Sequence, residues 1–436
     1  MRRWVVKLYL CAAVLWSESV AQQDTELLGR YFFGQFGEGW FAELYALPEG
    51  ADSMHVVVLV RVAYAVLPFE QETIRGGFRA LVQLGTELLD TVGIVRRRLE
   101  VRDTLWVQQY EATLSRDSAW VRAIEVVVPA SVHRCRLQLL LAHREVRQQD
   151  LPVSRQQWKA PLFASTSERE LIAPFVLGGA IPFGVNTVRL LLWDARLQPG
   201  QSYRYRCRQL PPAGGERWWD STPELSAGLV AQGPGRLERV EHPLPRYRVR
   251  SDSGIGAWIE SLLTTAELVP GRYELLLWRD EEPTDTLRWE FRVVWATMPL
   301  SLRRISYAVQ SMYYLLTKEA WSRLRSGSQQ EQWRKIWQYW KQRDPTPATA
   351  YNEAMAVYFR RVDYAYFAFQ SVVEPDGAQT ERGKIYILYG PPTHLHRELL
   401  PESPPRELWT YERLRQRFLF ELRPDGRWRL VSIERL

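Results

Sequence analysis

The sequence predicts a multidomain protein: two all-β, Ig-like sandwich domains followed by an α+β C-terminal domain of helices and a small antiparallel meander. Three observations carry this expectation. The 436 residues exceed what one ordinary core organises, since domains usually run to roughly 100–200 residues. From Trp40 to Trp295, short runs of alternating apolar and polar residues recur between turn residues, the pattern of half-buried strands. After Pro299 the apolar spacing changes to steps of three and four, as in helices, before short strand-like runs return near the C-terminus.

Residues 1–21 are expected to lie outside the fold. Arg2, Arg3 and Lys7 precede the apolar run Leu8 to Trp16, and Ser19-Val20-Ala21 supplies small residues at the cleavage positions, the layout of a secretory signal peptide. Cys11 sits inside the apolar run without small residues just before it, so it reads as part of the signal rather than as a lipid attachment site. No later stretch approaches the roughly 20 uninterrupted apolar residues of a membrane span. The mature chain is therefore expected to be exported, periplasmic or secreted at the cell envelope, with no transmembrane helix once the signal is removed.

Loss of Arg2, Arg3, Lys7 and Glu18 lowers the net charge from +7 to +5, which is mild for this length. Basic and acidic residues interleave, as in Arg96-Arg97-Arg98-Leu-Glu100-Val-Arg102-Asp103, the look of a solvated face. A nucleic-acid partner finds no support in that pattern. Only six of the 57 basic residues are Lys, a bias that fits ion-pair networks and a GC-rich genome equally well.

The first sandwich, residues 22–147, is expected to hold strands at Trp40 to Leu47, Met54 to Leu67, Gly77 to Leu88, Val92 to Leu99, Trp106 to Leu114, Trp120 to Val128 and Val132 to Ala142. Gly76-Gly77, Asp90 and Pro129 punctuate them. A polar, proline-containing linker follows at 148–167. The second sandwich, 168–297, places strands at Thr187 to Asp194, Gln201 to Gln209, Leu225 to Gln232, Arg246 to Arg250, Gly271 to Trp278 and Thr286 to Val294. Cys135 and Cys207 fall on the apolar faces of strands in different domains, so two buried thiols are favoured over a disulfide.

The last domain, 298–436, opens with helical spacing from Leu302 to Leu316, continued in Lys318 to Leu324 and Gln329 to Trp340. Trp333, Ile336, Trp337 and Trp340 share one stripe of the latter. Asp344-Pro345-Thr346-Pro347 breaks the helices before another from Ala348 to Gln370. The meander is expected from Lys384 to Tyr389, Glu407 to Tyr411, Arg417 to Leu422 and Trp428 to Ile433. Asp425-Gly426 supplies its last turn.

In this region Trp340-Lys-Gln-Arg-Asp-Pro-Thr-Pro347, Asn352-Glu353, Tyr358-Phe-Arg-Arg-Val-Asp-Tyr-Ala365 and Arg382-Gly-Lys-Ile-Tyr-Ile-Leu-Tyr-Gly-Pro-Pro392 follow in order. Glu407-Leu-Trp409-x-Tyr411 and Phe418-Leu-Phe420 come after them. These blocks resemble the GWxTD-domain family, exported bacterial proteins without an established activity, from about Leu300 to Val431. The resemblance implies β-rich N-terminal domains and a motif made here by Gly377, Thr380, Glu381, Arg382, Gly383, Tyr386, Tyr389, Gly390, Pro391 and Pro392. The name-giving Gly-Trp-x-Thr-Asp is altered to Gly377-Ala378-Gln379-Thr380-Glu381, and Thr393 stands where an acid commonly follows the Gly-Pro-Pro turn.

Candidate sites are few. Thr380 and Glu381 read first as a turn, with a hydroxyl toward the backbone and a carboxylate toward an Arg, and only second as a nucleophile with its base. His394, His396 and Glu398 alternate as three metal ligands on one side of an extended segment would, but solvated histidines in a surface loop are the favoured reading. Trp218 and Trp219 follow Gly214-Gly215 in a loop assigned to the second sandwich, where indoles either cap the sandwich or stack on sugar rings. No cofactor is expected, because Gly34-Gln-Phe-Gly37-Glu-Gly39 lacks the Lys and context of a phosphate loop. The favoured function is a non-catalytic envelope protein that binds another envelope protein or a glycan. The alternative is an exported hydrolase of envelope polymer or peptide acting through the Thr380 and Glu381 region.

Overall fold

The computed structural model describes residues 39–436, apart from 74–75, 142–143, 214–216, 242–243, 252–255, 280–281 and 400–402. The expected signal peptide at 1–21 lies outside the described residues. Among the described residues, no helix is long and apolar enough to cross a membrane. The chain is mostly β with a few helices and a C-terminal β region. It divides into two compact units: one runs to Leu210 and adds Pro223–Thr265 and Pro270–Ala296, and the other comprises Pro211–Thr222, Ala266–Val269 and Thr297–Leu436.

The first unit begins with β1 (Trp40–Glu49), β2 (Ser53–Ala63), β3 (Glu70–Gln71), β4 (Phe78–Asp90), β5 (Val95–Val107), β6 (Ala119–Pro129), β7 (Val132–Leu141) and β8 (Arg144–Pro152). β1, β2 and β6 form one antiparallel sheet, while β4 pairs with β3, β5 and β7, and β7 with β8. Side chains alternate across a strand, so Val56, Val58, Val60 and Val62 of β2 share a core with Val82, Leu84 and Leu88 of β4 and Leu137 and Leu139 of β7. Val57 and Leu59 of the same strand enter a second core with Tyr45, Trp158, Trp193, Tyr247 and Trp258. A strand buried on both faces needs a continuous apolar run, and Val56-Val-Val-Leu-Val60 is one.

The chain continues through β9 (Leu162–Ser165), β10 (Ala173–Pro174), β11 (Ile181–Pro182), β12 (Thr187–Asp194), β13 (Ser202–Gln209), β14 (Leu225–Val230), β15 (Gly235–Glu241), β16 (Arg246–Ser251), β17 (Ala257–Thr264), β18 (Gly271–Arg279) and β19 (Glu282–Val294). These make a β10-β9-β12-β17 sheet, a β11-β19-β18-β13-β14 sheet and a β15-β16 hairpin. Phe163 of β9 packs on Phe291 of β19 with ring centroids 5.0 Å apart, joining the two larger sheets. Residues 148–167, expected as a linker, instead contain the end of β8 and all of β9, and give Trp158, Leu162 and Ala164 to the second core. Trp158 also donates its indole N–H to the carbonyl of Ala46 at 3.2 Å. The polar residues and prolines there mark turns between buried anchors. Cys135 and Cys207 are free and buried, and burial pushes each thiol up to about 12.

In the second unit α1 (Leu300–Arg303) and α2 (Ile305–Ser311) lead through a 3-10 turn at Met312–Leu315 to α3 (Lys318–Arg325), α4 (Gln329–Lys341), α5 (Glu353–Ala368) and α6 (Glu381–Tyr389). Ser328 and Glu331 form a reciprocal capping box at the start of α4, and the stripe of Trp333, Ile336, Trp337 and Trp340 is buried. Asn352 caps α5 by accepting from Met355 N at 2.8 Å, and its amide donates to the carbonyl of Trp340 at 2.7 Å. The sheet is β20 (His394–Glu398), β21 (Arg406–Tyr411), β22 (Gln416–Leu422) and β23 (Trp428–Arg435), antiparallel in chain order.

In the first unit the strand expected over Trp106 to Leu114 is instead the end of β5 followed by a short helix at Tyr110–Thr113, and in the second unit one expected strand is helical. Lys384 to Tyr389 is the body of α6 rather than the first strand of the meander, and His394–Glu398 takes that place. The Ile-Tyr-Ile-Leu-Tyr run has strand propensity, but a cap at Thr380 and a stop at Gly390 bracket it as a helix. Its buried positions, Arg382, Gly383, Ile385 and Ile387, include the helical pairs 382/385 and 383/387.

Candidate functional site

The motif residues Gly377 to Pro392 occupy the junction of α5, α6 and the C-terminal sheet, and backbone proximity shapes that junction. A Cβ at Gly377 would lie 2.2 Å from the carbonyl oxygen of Ala365 on α5, and one at Gly383 would lie 2.0 Å from that of Gly377. Neither glycine needs a left-handed torsion; each is required because another backbone presses against its Cα.

Thr380 is buried at the first turn of α6. Its hydroxyl donates to the carbonyl of Gly377 at 2.8 Å and accepts from the amide of Gly383 at 2.9 Å. Both interactions hold helix and turn together. Glu381 meets Arg429 Nη1 at 3.2 Å and accepts the amide of Leu430, so it ties the start of α6 to β23. Thr380 and Glu381 are adjacent in sequence yet engaged with different partners. A nucleophile with its base would instead turn toward each other.

Arg382 is buried and donates to Glu407 Oε2 at 3.3 Å. Its guanidinium lies over the rings of Trp428, at 4.5 Å, and Phe369, at 5.2 Å. Burial draws the guanidinium below its usual pKa, and the Glu407 carboxylate opposes that shift. Glu407 also accepts from Arg397 at 3.0 Å and from the indole of Trp409 at 3.1 Å, so one carboxylate gathers α6, β20 and β21. Tyr386 stacks on Tyr364 with centroids 4.4 Å apart, and Tyr389 on Phe418 at 5.7 Å. Gly390 adopts φ +82°, donates to the carbonyl of Tyr386 at 2.7 Å and accepts from the Tyr411 hydroxyl at 2.8 Å, which ends the helix before Pro391 and Pro392.

Sequence reasoning missed Asp376 and its partners. Its carboxylate caps the turn at Gly377–Gln379 by accepting from Ala378 N at 3.0 Å, and also accepts from the Tyr307 hydroxyl at 2.9 Å. Burial, reinforced by Asp376, pushes the Tyr307 phenol well above its ordinary range. The Asp-Gly pair was the available signal for the cap; nothing in the sequence links it to Tyr307, 69 positions earlier.

Trp218 and Trp219 belong to the second unit, not to a loop of the second sandwich. Trp219 packs edge-on against Trp333 and Trp337 of α4, with centroids 5.1 and 5.0 Å away. Trp218 accepts the Trp333 indole N–H on its carbonyl at 2.6 Å and carries the Arg334 guanidinium 4.9 Å from its ring centroid. The apolar stripe of α4 supplies a better burial partner than solvent or a sandwich edge. Asp220 completes the contact by accepting from Trp337 at 2.9 Å and Lys341 at 2.8 Å.

His394, His396 and Glu398 lie along β20, a fully exposed edge strand rather than a loop. His394 pairs with Glu412 at 3.1 Å, and His396 approaches Glu398 only to 3.9 Å. Among the described residues, no group of three or more His, Cys, Asp or Glu side chains is placed to hold a metal ion.

The family model of the GWxTD domain matches residues 278–426. No curated protein matches the chain. Among solved structures, a purple acid phosphatase from yellow lupin (Lupinus luteus) seeds is 10% identical over 59% of this chain and 41% of its own, with a TM-score of 0.16. The chain thus spans about two fifths of that enzyme's length. The C-terminal domain of an antigen I/II polypeptide of Streptococcus agalactiae is 7% identical over 58% of this chain and 100% of its own, with a TM-score of 0.14. A cross-linked adhesin from Mobiluncus mulieris is 8% identical over 52% and 98%, with a TM-score of 0.16. Such low scores carry no argument about shared fold or function.

Proposed function

Taking as premise that residues 278–426 form a GWxTD domain, we propose that this is an exported, non-catalytic protein of the cell envelope that binds another envelope protein or a glycan. Two Ig-like sandwiches, over 22–147 and 168–297, supply the binding surfaces, and the GWxTD domain acts as a structural or docking module. The observation that carries the reading is the engagement of Thr380 and Glu381. Both polar interactions of the buried Thr380 hydroxyl are with backbone, and the Glu381 carboxylate is held by β23. Nucleophilic catalysis requires a hydroxyl oriented toward a base, which that arrangement does not offer.

The test uses the full mature chain as bait against envelope extracts and on a glycan array, with Thr380→Ala/Glu381→Gln in parallel. The expected result is reproducible retention of one partner or glycan by both proteins under conditions where both are folded. No reproducible partner and no retained glycan would count against the reading. Turnover of envelope polymer or peptide by the wild type, lost in the folded double variant, would replace it with the hydrolase.

A further inference from the structure

In the first unit, the segment between β10 and β11 lies against β1 in a strained conformation. Val176 adopts φ +53°, and Gly178 and Gly179 follow at +70° and +73°. Positive φ is sparsely populated by β-branched residues, and such a torsion persists only where its surroundings enforce it. Here the surroundings are tight. Val176 is buried in the core that holds Tyr45, Leu47 and Trp158, and a Cβ at Gly179 would meet that of Ala160 at 2.6 Å. Pairing fixes both ends, since Pro174 faces Ala164 of β9 and Ile181 faces Val293 of β19. Residues 175–180 are left to span between them.

The polar anchor of this segment on β1 is Glu43. Its side chain is 7% exposed and shares a face of β1 with Tyr45 and Leu47. The carboxyl accepts from the amide of Gly179 at 2.6 Å, and Tyr45 and the amide of Gly178 are its other hydrogen-bond partners. The titratable side chains that feel its charge are Tyr45 on β1 and Tyr247 on β16, both of which it helps to push up. Beyond Tyr247 lies Glu125 of β6, already engaged with Arg239 of β15 and His55 of β2. Lys159, next to the Ala160 that packs on Gly179, is exposed. Among the described residues Glu43 forms no ion pair, so only hydrogen bonds oppose the cost of burying its charge, and burial raises its pKa from 4.5 to about 7.

Two effects therefore favour release of the segment once Glu43 ionises. The carboxylate gains water in place of a buried site without a countercharge, and Val176 regains the negative φ it ordinarily prefers. Burial of the Val176 side chain opposes both. We propose that residues 175–180 are a strap that the neutral Glu43 carboxyl holds against β1 and that the ionised form releases, so that this part of the first unit opens as the surrounding pH rises. The sign follows from proton linkage. The closed strap holds the proton more tightly than the open one, so closure is fully favoured below pH 4.5 and is lost progressively as pH rises to about 7. Across that interval the ratio of open to closed strap rises by up to about 300-fold. Such local opening of a short segment leaves the sheets around it folded.

The experiment is hydrogen exchange on the full chain, read by mass spectrometry at about pH 5 and about pH 8 and corrected for the intrinsic exchange rate at each pH. Glu43→Gln keeps an acceptor for the Gly179 amide but cannot ionise. In the wild type, protection of residues 175–180 is expected to be lower by about tenfold or more at the higher pH, while that of β2 changes little; in Glu43→Gln the strap should keep its protection. Equal strap protection at both pH values in the wild type overturns the proposal, as does the same fall in folded Glu43→Gln. A fall of equal size in β2 also overturns it, because the whole unit would then be loosening. Should Glu43→Gln fail to fold, the contrast between strap and β2 in the wild type decides by itself. No partner enters the measurement, so its outcome is separate from that of the binding experiment.

Discussion

At Gly383 a single hydrogen atom separates the backbone of α6 from the carbonyl of Gly377. Gly383→Ala places a methyl carbon 2.0 Å from that oxygen, far inside contact distance, and the obstacle is backbone. The expected loss is about 2–3 kcal/mol or more, read as a lower urea midpoint. Glu43 makes a different prediction. Its carboxylate is buried in β1 and accepts from Gly179 N at 2.6 Å, and burial outweighs that bond to raise its pKa from 4.5 to about 7. The folded state therefore keeps a proton that the unfolded state releases above its ordinary pKa. Stability contributed by this group is fully present below pH 4.5 and is lost as pH rises toward 7, in total on the order of 3 kcal/mol. Glu43→Gln should flatten that part of the stability profile, measured by denaturation at a series of pH values. An unchanged profile would remove Glu43 as its source. The motif glycines were legible as motif residues, but the pressing backbones that make them necessary come from α5 and a neighbouring turn. Glu43 gave no signal, because one acid in an alternating strand looks solvated until the sheet beyond it is known.

In the second unit, the element that sequence reading assigned to the wrong class is α6. Ile385, Tyr386, Ile387 and Tyr389 have strand propensity, whereas the decisive signals are at the ends: a capping hydroxyl at Thr380 and left-handed Gly390. Thr380→Ala removes that cap and should cost about 1 kcal/mol, while Thr380→Ser retains an equivalent hydroxyl and should cost less. Equal losses from both would mean that the buried methyl, rather than the cap, holds the turn. Other elements were plainer. The Trp333, Ile336, Trp337 and Trp340 spacing is helical in sequence and buried in the fold, and Asp425-Gly426 forms the tight turn before β23, with Gly426 at φ +78°. Trp218 and Trp219 could not be placed from local pattern, since their partners lie more than a hundred positions away on α4.

For the whole molecule, the β-rich character was readable from alternating runs, and the change to helices after Pro299 from the change of period. The layering was harder to see. β2 is buried on both faces, as its unbroken Val56 to Val60 run allows, and the polar stretch 148–167 conceals the buried anchors Trp158, Leu162 and Ala164. A polar composition describes the turns of such a segment and says little about two or three side chains that reach a core. On the proposed reading, the altered motif holds the C-terminal fold together through Thr380 and Glu381 rather than performing chemistry. The most direct measurement is the urea midpoint of Thr380→Ala/Glu381→Gln beside wild type, with turnover of envelope polymer assayed at a concentration where both are folded. The expected result is a lower midpoint for the double variant and no turnover by either protein. An unchanged midpoint, together with turnover by the wild type that the variant lacks, would contradict it.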